Sequence, residues 1–160
     1  MSISSRIPTQ HKDKRRIFRD ALQYAVKLLA RREHSTLELQ RKLLAKGFPE
    51  PLIEATLQRL AADKLLSDER FAEAYVQSRM NRGFGPLRIE AELRERGTPA
   101  DLIKAWVTPN AQSWREQARN AWRKRFGREP KDYQERARQM RFLQQRGYTT
   151  DQINAVFKIL

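Results

Sequence analysis

Three ungapped stretches of this chain carry one pattern at a spacing of fifty residues, and that repeat restricts the fold to a row of similar units. The stretches are LLAKGFPEPLIEATL around Gly47, LRERGTPADLIKAWV around Gly97 and LQQRGYTTDQINAVF around Gly147. Leu43, Leu93 and Leu143 precede the glycines in register, as do Lys46, Arg96 and Arg146; Ile53, Ile103 and Ile153 follow them, then Ala55, Ala105 and Ala155. Self-similarity at such a period marks an array of supersecondary units, none of which buries its apolar face alone.

Within each unit the residues read as helix, glycine stop, helix. Glycine just past a helix end supplies the left-handed closing conformation, and the basic residue before it suits the negative end of the helix dipole. Ser35 with Glu38 is spaced as a capping box, and Thr149 with Gln152 repeats it; Thr98-Pro99 predicts an N-cap followed by proline at the first helical position. Gly85-Pro86 opens the helix that ends before Gly97. A further helix precedes each pair. Its apolar face is Phe18, Leu22, Ala25 and Leu29 in the first unit, and Phe71, Ala74, Tyr75 and Ser78 after the N-cap Ser67 in the second. In the third it is Trp114, Ala118, Ala121, Trp122 and Phe126, with Ser113 and Glu116 as the capping box. Alternating β-branched runs and Asn-Gly turns are missing. The expectation is an all-α protein of three tandem three-helix repeats in an elongated, curved array: a disordered basic tail over 1–14, then repeats over 15–66, 67–110 and 111–160, with junctions near Leu66-Ser67 and Thr108–Gln112.

Charge is polarised along this array. Of a net charge of +14, residues 1–34 hold nine Lys/Arg against three Asp/Glu, residues 35–112 twelve against eleven, and residues 113–147 eleven against four. Two separated basic regions suit contact with a polyanion at two places. Near the start, Lys12, Lys14, Arg15, Arg16 and Arg19 cluster. In the third repeat Arg115, Arg119 and Arg123 recur at helical spacing, and Lys124, Arg125 and Arg128 are expected to extend that stripe, with Arg136, Arg138 and Arg141 on the next helix. Arginine's planar fork favours phosphate or carboxylate partners. Trp106, Trp114 and Trp122 fall on apolar faces and read as core, not as base-stacking platforms, so the expected contact is to a nucleic-acid backbone without sequence specificity.

Other chemistries find little support. The chain has no Cys and two His, His11 and His34, neither beside a spaced set of carboxylates. No phosphate-cradling GxxxxGK[ST] loop and no nucleophile motif occurs, so neither a catalytic centre, a metal nor a cofactor is expected. Glu90, Glu92 and Glu95, interleaved with Arg88, Arg94 and Arg96, read as a solvated helix face. The N-terminal residues lack a secretory apolar core and no segment reaches the length of a bilayer span, so a cytoplasmic setting is expected.

The stretches HSTLELQRKLLAKG at 34–47 and LSDERFAEAYVQSRMNRGFGPLRIEAELRERG at 66–97 together resemble the RecX family, regulators of the RecA recombinase. The marks are His34-Ser35, Glu38-Leu39 and Leu43, then Asp68, Arg70-Phe71-Ala72, Gly85-Pro86, Ile89, Glu92-Leu93 and Gly97. RFLQQRGYTTDQI extends the likeness to the third repeat, although Gln139 stands where the others have Leu39 and Ile89. The resemblance implies a modular protein that lies in the groove of RecA–DNA filaments and inhibits strand exchange, ATP hydrolysis and coprotease activity. A monomer that touches single- and double-stranded DNA weakly and without sequence specificity is expected. On this reading the filament-contacting residues are Lys14, Arg15, Arg16, Arg19, Arg79, Arg82, Arg115, Arg119, Arg123, Lys124, Arg125 and Arg128. Two rival readings share the composition: an independent nucleic-acid-binding module, and a helical scaffold for acidic proteins.

Overall fold

The structure, a computed structural model, describes residues 9–108 and 111–158. Among these, nine helices and no strands occur: α1 Thr9–Arg31, α2 Thr36–Lys46, α3 Glu50–Ala62, α4 Asp68–Asn81, α5 Pro86–Glu95, α6 Ala100–Val107, α7 Ala111–Arg125, α8 Tyr133–Gln145 and α9 Thr150–Lys158. Three consecutive helices make each repeat, as the period requires. The expected tail is helical from Thr9 onward, because no Gly or Pro interrupts Thr9–Arg31 and most of its residues are good helix formers; residues 1–8 lie outside the described residues. The expected Thr108–Gln112 junction includes residues 109 and 110, also outside them.

The repeat glycines close their helices in the left-handed region, with φ of 96° at Gly47, 73° at Gly97 and 97° at Gly147. After each glycine one inward-packed residue follows, Thr98 and Tyr148 buried and Phe48 partly buried, and then the N-cap. That places Pro49, Pro99 and Thr149 at equivalent positions. The Thr149–Gln152 capping box forms, the backbone N–H of Thr149 donating to Gln152 Oε1 at 2.9 Å and that of Gln152 to Thr149 Oγ1 at 3.2 Å. Thr98 is no cap. It is buried at the position equivalent to Phe48 and Tyr148, its Oγ1 without a hydrogen-bond partner among the described residues, and Pro99 is the N-cap. Ser113 likewise lies inside α7, which begins at Ala111. In α4 the buried residues are Phe71, Ala72 and Val76, with Tyr75 half-buried; Ala74 and Ser78 are exposed, because the inward stripe runs through positions 71, 72, 75 and 76.

The chain divides into two compact units, one ending at Phe71 and one beginning at Ala72. The first packs Ala21, Ala25, Leu39, Leu43, Ile53, Leu60 and Leu66 into one core. Its Ser35–Glu38 capping box is complete, and Asp68 bonds the start of α2 twice, accepting from Thr36 N and Thr36 Oγ1 at 2.8 Å each. Arg70 adds a bridge to Glu33 at 2.9 Å and donates to the Lys64 carbonyl at 2.7 Å.

The second unit holds repeats two and three together. Gly85 and Gly147 meet backbone to backbone: Gly85 N donates to Arg146 O at 2.7 Å and Leu87 N to Gly147 O at 2.9 Å. A Cβ on Gly85 would stand 2.4 Å from the Gly147 carbonyl carbon, and one on Gly147 2.4 Å from the Arg88 Cβ. Glycine is required on both sides of this contact. Trp114 reinforces it, its Nε1 donating to Val107 O at 2.8 Å. Gln139, the polar departure from the repeat, is fully buried because Trp122 needs an acceptor; Trp122 Nε1 donates to Gln139 Oε1 at 2.8 Å.

Candidate nucleic-acid interface

In the second unit three adjoining depressions share lining residues and form one basic track. The first, about 660 Å³, is lined by Arg128, Lys131, Tyr133, Arg138 and Arg141 among others. The second, about 460 Å³, shares Arg128, Arg138 and Arg141 and adds Arg125, Phe126 and Phe142. A third, about 190 Å³, shares Arg125 and Phe142 and adds Lys124, Asn120, Gln117, Arg82 and Arg146. Eight cations therefore border the track, drawn from the α4–α5 turn, the end of α7, the loop after it, α8 and the residue closing α8.

The carboxylates along the track are Asp132 and Glu135, and both are committed to the backbone. Asp132 Oδ1 caps α8 by accepting from Glu135 N at 2.8 Å, while Glu135 Oε2 accepts from Lys131 N at 2.9 Å. Glu135 also receives Arg128 at 3.1 Å and Arg138 at 3.8 Å. Lys124, Arg125, Lys131 and Arg141 have no ion pair among the described residues. Such a surplus of cations leaves a field that a polyanion relieves.

This geometry divides the residues that sequence spacing had grouped. At about 100° per residue along α7, Arg115, Arg119 and Arg123 lie on one flank, whereas Gln117, Asn120 and Lys124 lie on the other. Lys124 and Arg125 thus do not extend the arginine stripe; they belong to the track, with Arg82 and Arg128. Arg115 and Arg123 are exposed and Arg119 half-buried. Lys14, Arg15, Arg16 and Arg19 are exposed on α1 in the first unit.

Arg79 is committed within the protein. It grips Glu92 through Nε at 2.8 Å and Nη2 at 2.6 Å and stacks 3.8 Å from the centroid of the Phe84 ring. Glu92 also accepts from Tyr75 Oη at 2.5 Å and Arg88 Nε at 3.1 Å, so it is the hub of a cluster and not part of a solvated face. Burial alone would raise the Glu92 pKa, but the hydrogen bonds from Arg79, Tyr75 and Arg88 outweigh it and hold the carboxyl below its ordinary range. Burial and the Glu92 bond push the Tyr75 hydroxyl up to about 12. Arg88 and Arg146 share the Phe84 ring at 4.4 and 4.7 Å, which orients Arg146 at the end of the track.

Sequence spacing did not single out Arg146, whose place before a glycine explains it as a helix-end residue, or Tyr133, which sits on no apolar stripe. Of the tryptophans, Trp114 and Trp122 are core, while Trp106 is half-buried. His34 is buried with Nδ1 3.0 Å from the Arg32 carbonyl, and burial lowers its pKa. Among the described residues no group of three His, Cys, Asp or Glu could hold a metal, and no helix is long and apolar enough to cross a membrane.

Fold and site together define an all-α tandem-repeat protein of three-helix units that presents a cationic groove. Family models for RecX match all three repeats: the first three-helix domain over residues 21–60, the second over 67–105 and the third over 115–157. The regulatory protein RecX of Pseudomonas fluorescens is 46% identical over 131 residues, 81% of this chain and 84% of that protein. Its counterpart in Halorhodospira halophila is 44% identical over 132 residues, 82% of each. The crystal structure of RecX from Lactobacillus salivarius superposes with a TM-score of 0.76, covering 90% of this chain and 96% of that one; at 19% identity this is a likeness of fold. The chain belongs to the RecX family.

Proposed function

We propose that this protein is a non-enzymatic regulator that binds the RecA recombinase and its DNA filament and mainly inhibits the recombinase, ATPase and coprotease activities of RecA. The observation that carries the reading is the continuous basic track of the second unit, whose two carboxylates are already spent on the backbone. A filament wrapped on DNA is a polyanionic helix, and guanidinium groups in a groove engage phosphates without reading bases. The exposed cations of α1 supply a further contact, and engagement across adjacent filament subunits blocks extension or promotes disassembly. The protein acts as a cytoplasmic monomer with weak, sequence-independent affinity for DNA alone.

Sedimentation with RecA assembled on single-stranded DNA tests this, read alongside RecA's ATP hydrolysis. The expected result is co-pelleting at physiological salt, slower hydrolysis, and markedly weaker binding to the same DNA without RecA. Equal binding to coated and naked DNA would favour an independent nucleic-acid module, and nuclease-insensitive capture of acidic proteins without filament binding a scaffold.

A further inference from the structure

Tyr133 is the most exposed large hydrophobic residue among the described residues, at 84%, and it stands on the first depression of the basic track. It differs from the other aromatics there. Phe126 and Phe142 each carry a guanidinium over the ring, as do Phe84, Tyr75 and Phe157 elsewhere. The Tyr133 ring has no such partner among the described residues, although it opens α8 beside Arg138 and Arg141. Nor is its backbone loosely held. Asp132 caps the helix that Tyr133 begins, and Glu135 reaches back to the Lys131 amide, so the ring is mounted on a pinned turn.

We infer that Tyr133 is a stacking platform for an unpaired base and that this end of the track is a site for single-stranded DNA. An aromatic face flanked by phosphate-binding cations is the arrangement by which proteins hold single strands without sequence preference. A fully paired duplex keeps its bases stacked inward and offers this ring nothing, whereas a single strand laid along Arg128, Arg138 and Arg141 can splay one base onto it. The inference deepens the filament reading, which supplies the DNA. It can be tested without RecA.

The test compares a thymidine oligomer, an abasic deoxyribose-phosphate oligomer of equal length and a duplex, each labelled and titrated by fluorescence anisotropy at low salt. The wild-type protein should prefer the thymidine oligomer to the abasic one by roughly tenfold. Tyr133→Ala should bring thymidine binding down to the abasic level, leaving abasic affinity and salt dependence unchanged, and Tyr133→Trp should keep the preference. Arg138→Ala with Arg141→Ala should weaken both oligomers alike and flatten the salt dependence. Because the ring is exposed, circular dichroism melts of the Tyr133 variants should match the wild type. Equal wild-type affinity for the two oligomers, preference for the duplex, or a preference that survives Tyr133→Ala would each overturn the assignment. Sedimentation of the same variants with RecA filaments reports separately on the filament reading.

Discussion

Replacing Gly85 by Ala separates two effects that glycine substitutions usually mix. Gly85 has φ −95° and ψ 172°, a conformation any residue adopts, so no backbone strain is introduced. The obstacle is steric: the new methyl would lie 2.4 Å from the Gly147 carbonyl carbon, 2.5 Å from Tyr148 N and 2.6 Å from Gly147 O. These are backbone atoms and cannot rotate aside. Repeats two and three must move apart, losing the Gly85–Arg146 and Leu87–Gly147 hydrogen bonds, each worth about 1 kcal/mol. Overpacking adds roughly 1–3 kcal/mol, so the total is about 3–5 kcal/mol. For a unit of this size that lowers Tm by roughly 10 °C or more. Gly47→Ala is the control. Its φ is +96° with nothing within 4 Å of the added methyl, so it carries only the left-handed cost of about 1–2 kcal/mol. Calorimetry should show Gly85→Ala melting well below Gly47→Ala, with faster hydrogen exchange at the Leu87 amide. If Gly85→Ala melted within a degree or two of the wild type, the glycine-to-glycine contact would not join these repeats.

Two further outcomes follow from buried polar groups. Glu92→Gln should cost about 2 kcal/mol at neutral pH, because it leaves the mostly buried Arg79 without its charged acceptor. Since the folded pKa of Glu92 is depressed, its contribution is complete above the unfolded carboxylate range and is lost as pH falls through the folded value; urea melts of wild type and variant should therefore converge in acid and differ fully at pH 7. Gln139→Leu restores the apolar residue of the other repeats yet should destabilise by about 1–3 kcal/mol, because Trp122 Nε1 loses its acceptor in the core. Combining it with Trp122→Phe should recover part of that loss in a double-mutant cycle, and strict additivity would show the pair to be uncoupled.

What the sequence disclosed was governed by range. Glycine closures, the Ser35–Glu38 and Thr149–Gln152 boxes and the Trp114/Trp122 face depend on residues within a single helix or its ends, so spacing alone revealed them. At Thr98 the cap lies one position later than spacing predicts: a Thr-Pro pair satisfies the local rule for a cap, and only burial shows that the threonine faces inward. Glu92 looked solvated because alternating charge is the usual mark of an exposed helix; its partners Tyr75 and Arg79 lie on another helix. The basic track was legible in its residues and not in their grouping. Arg82, Lys124, Arg125, Arg128, Arg138 and Arg141 all stand out in the sequence, but helical spacing joins Lys124, Arg125 and Arg128 to the Arg115, Arg119 and Arg123 stripe, and only the contact of repeats two and three brings Arg82 to Arg146.

The track is tested most directly by the salt dependence of binding to RecA filaments on single-stranded DNA, compared between wild type, Lys124→Ala/Arg125→Ala/Arg141→Ala and Arg115→Ala/Arg119→Ala/Arg123→Ala. Each phosphate contact on a single strand contributes about 0.7 to the slope of log affinity against log salt, so the track variant should lose roughly 2 from that slope and bind more weakly. The stripe variant should lose less. A track variant with the wild-type slope, or a larger loss in the stripe variant, would contradict the account.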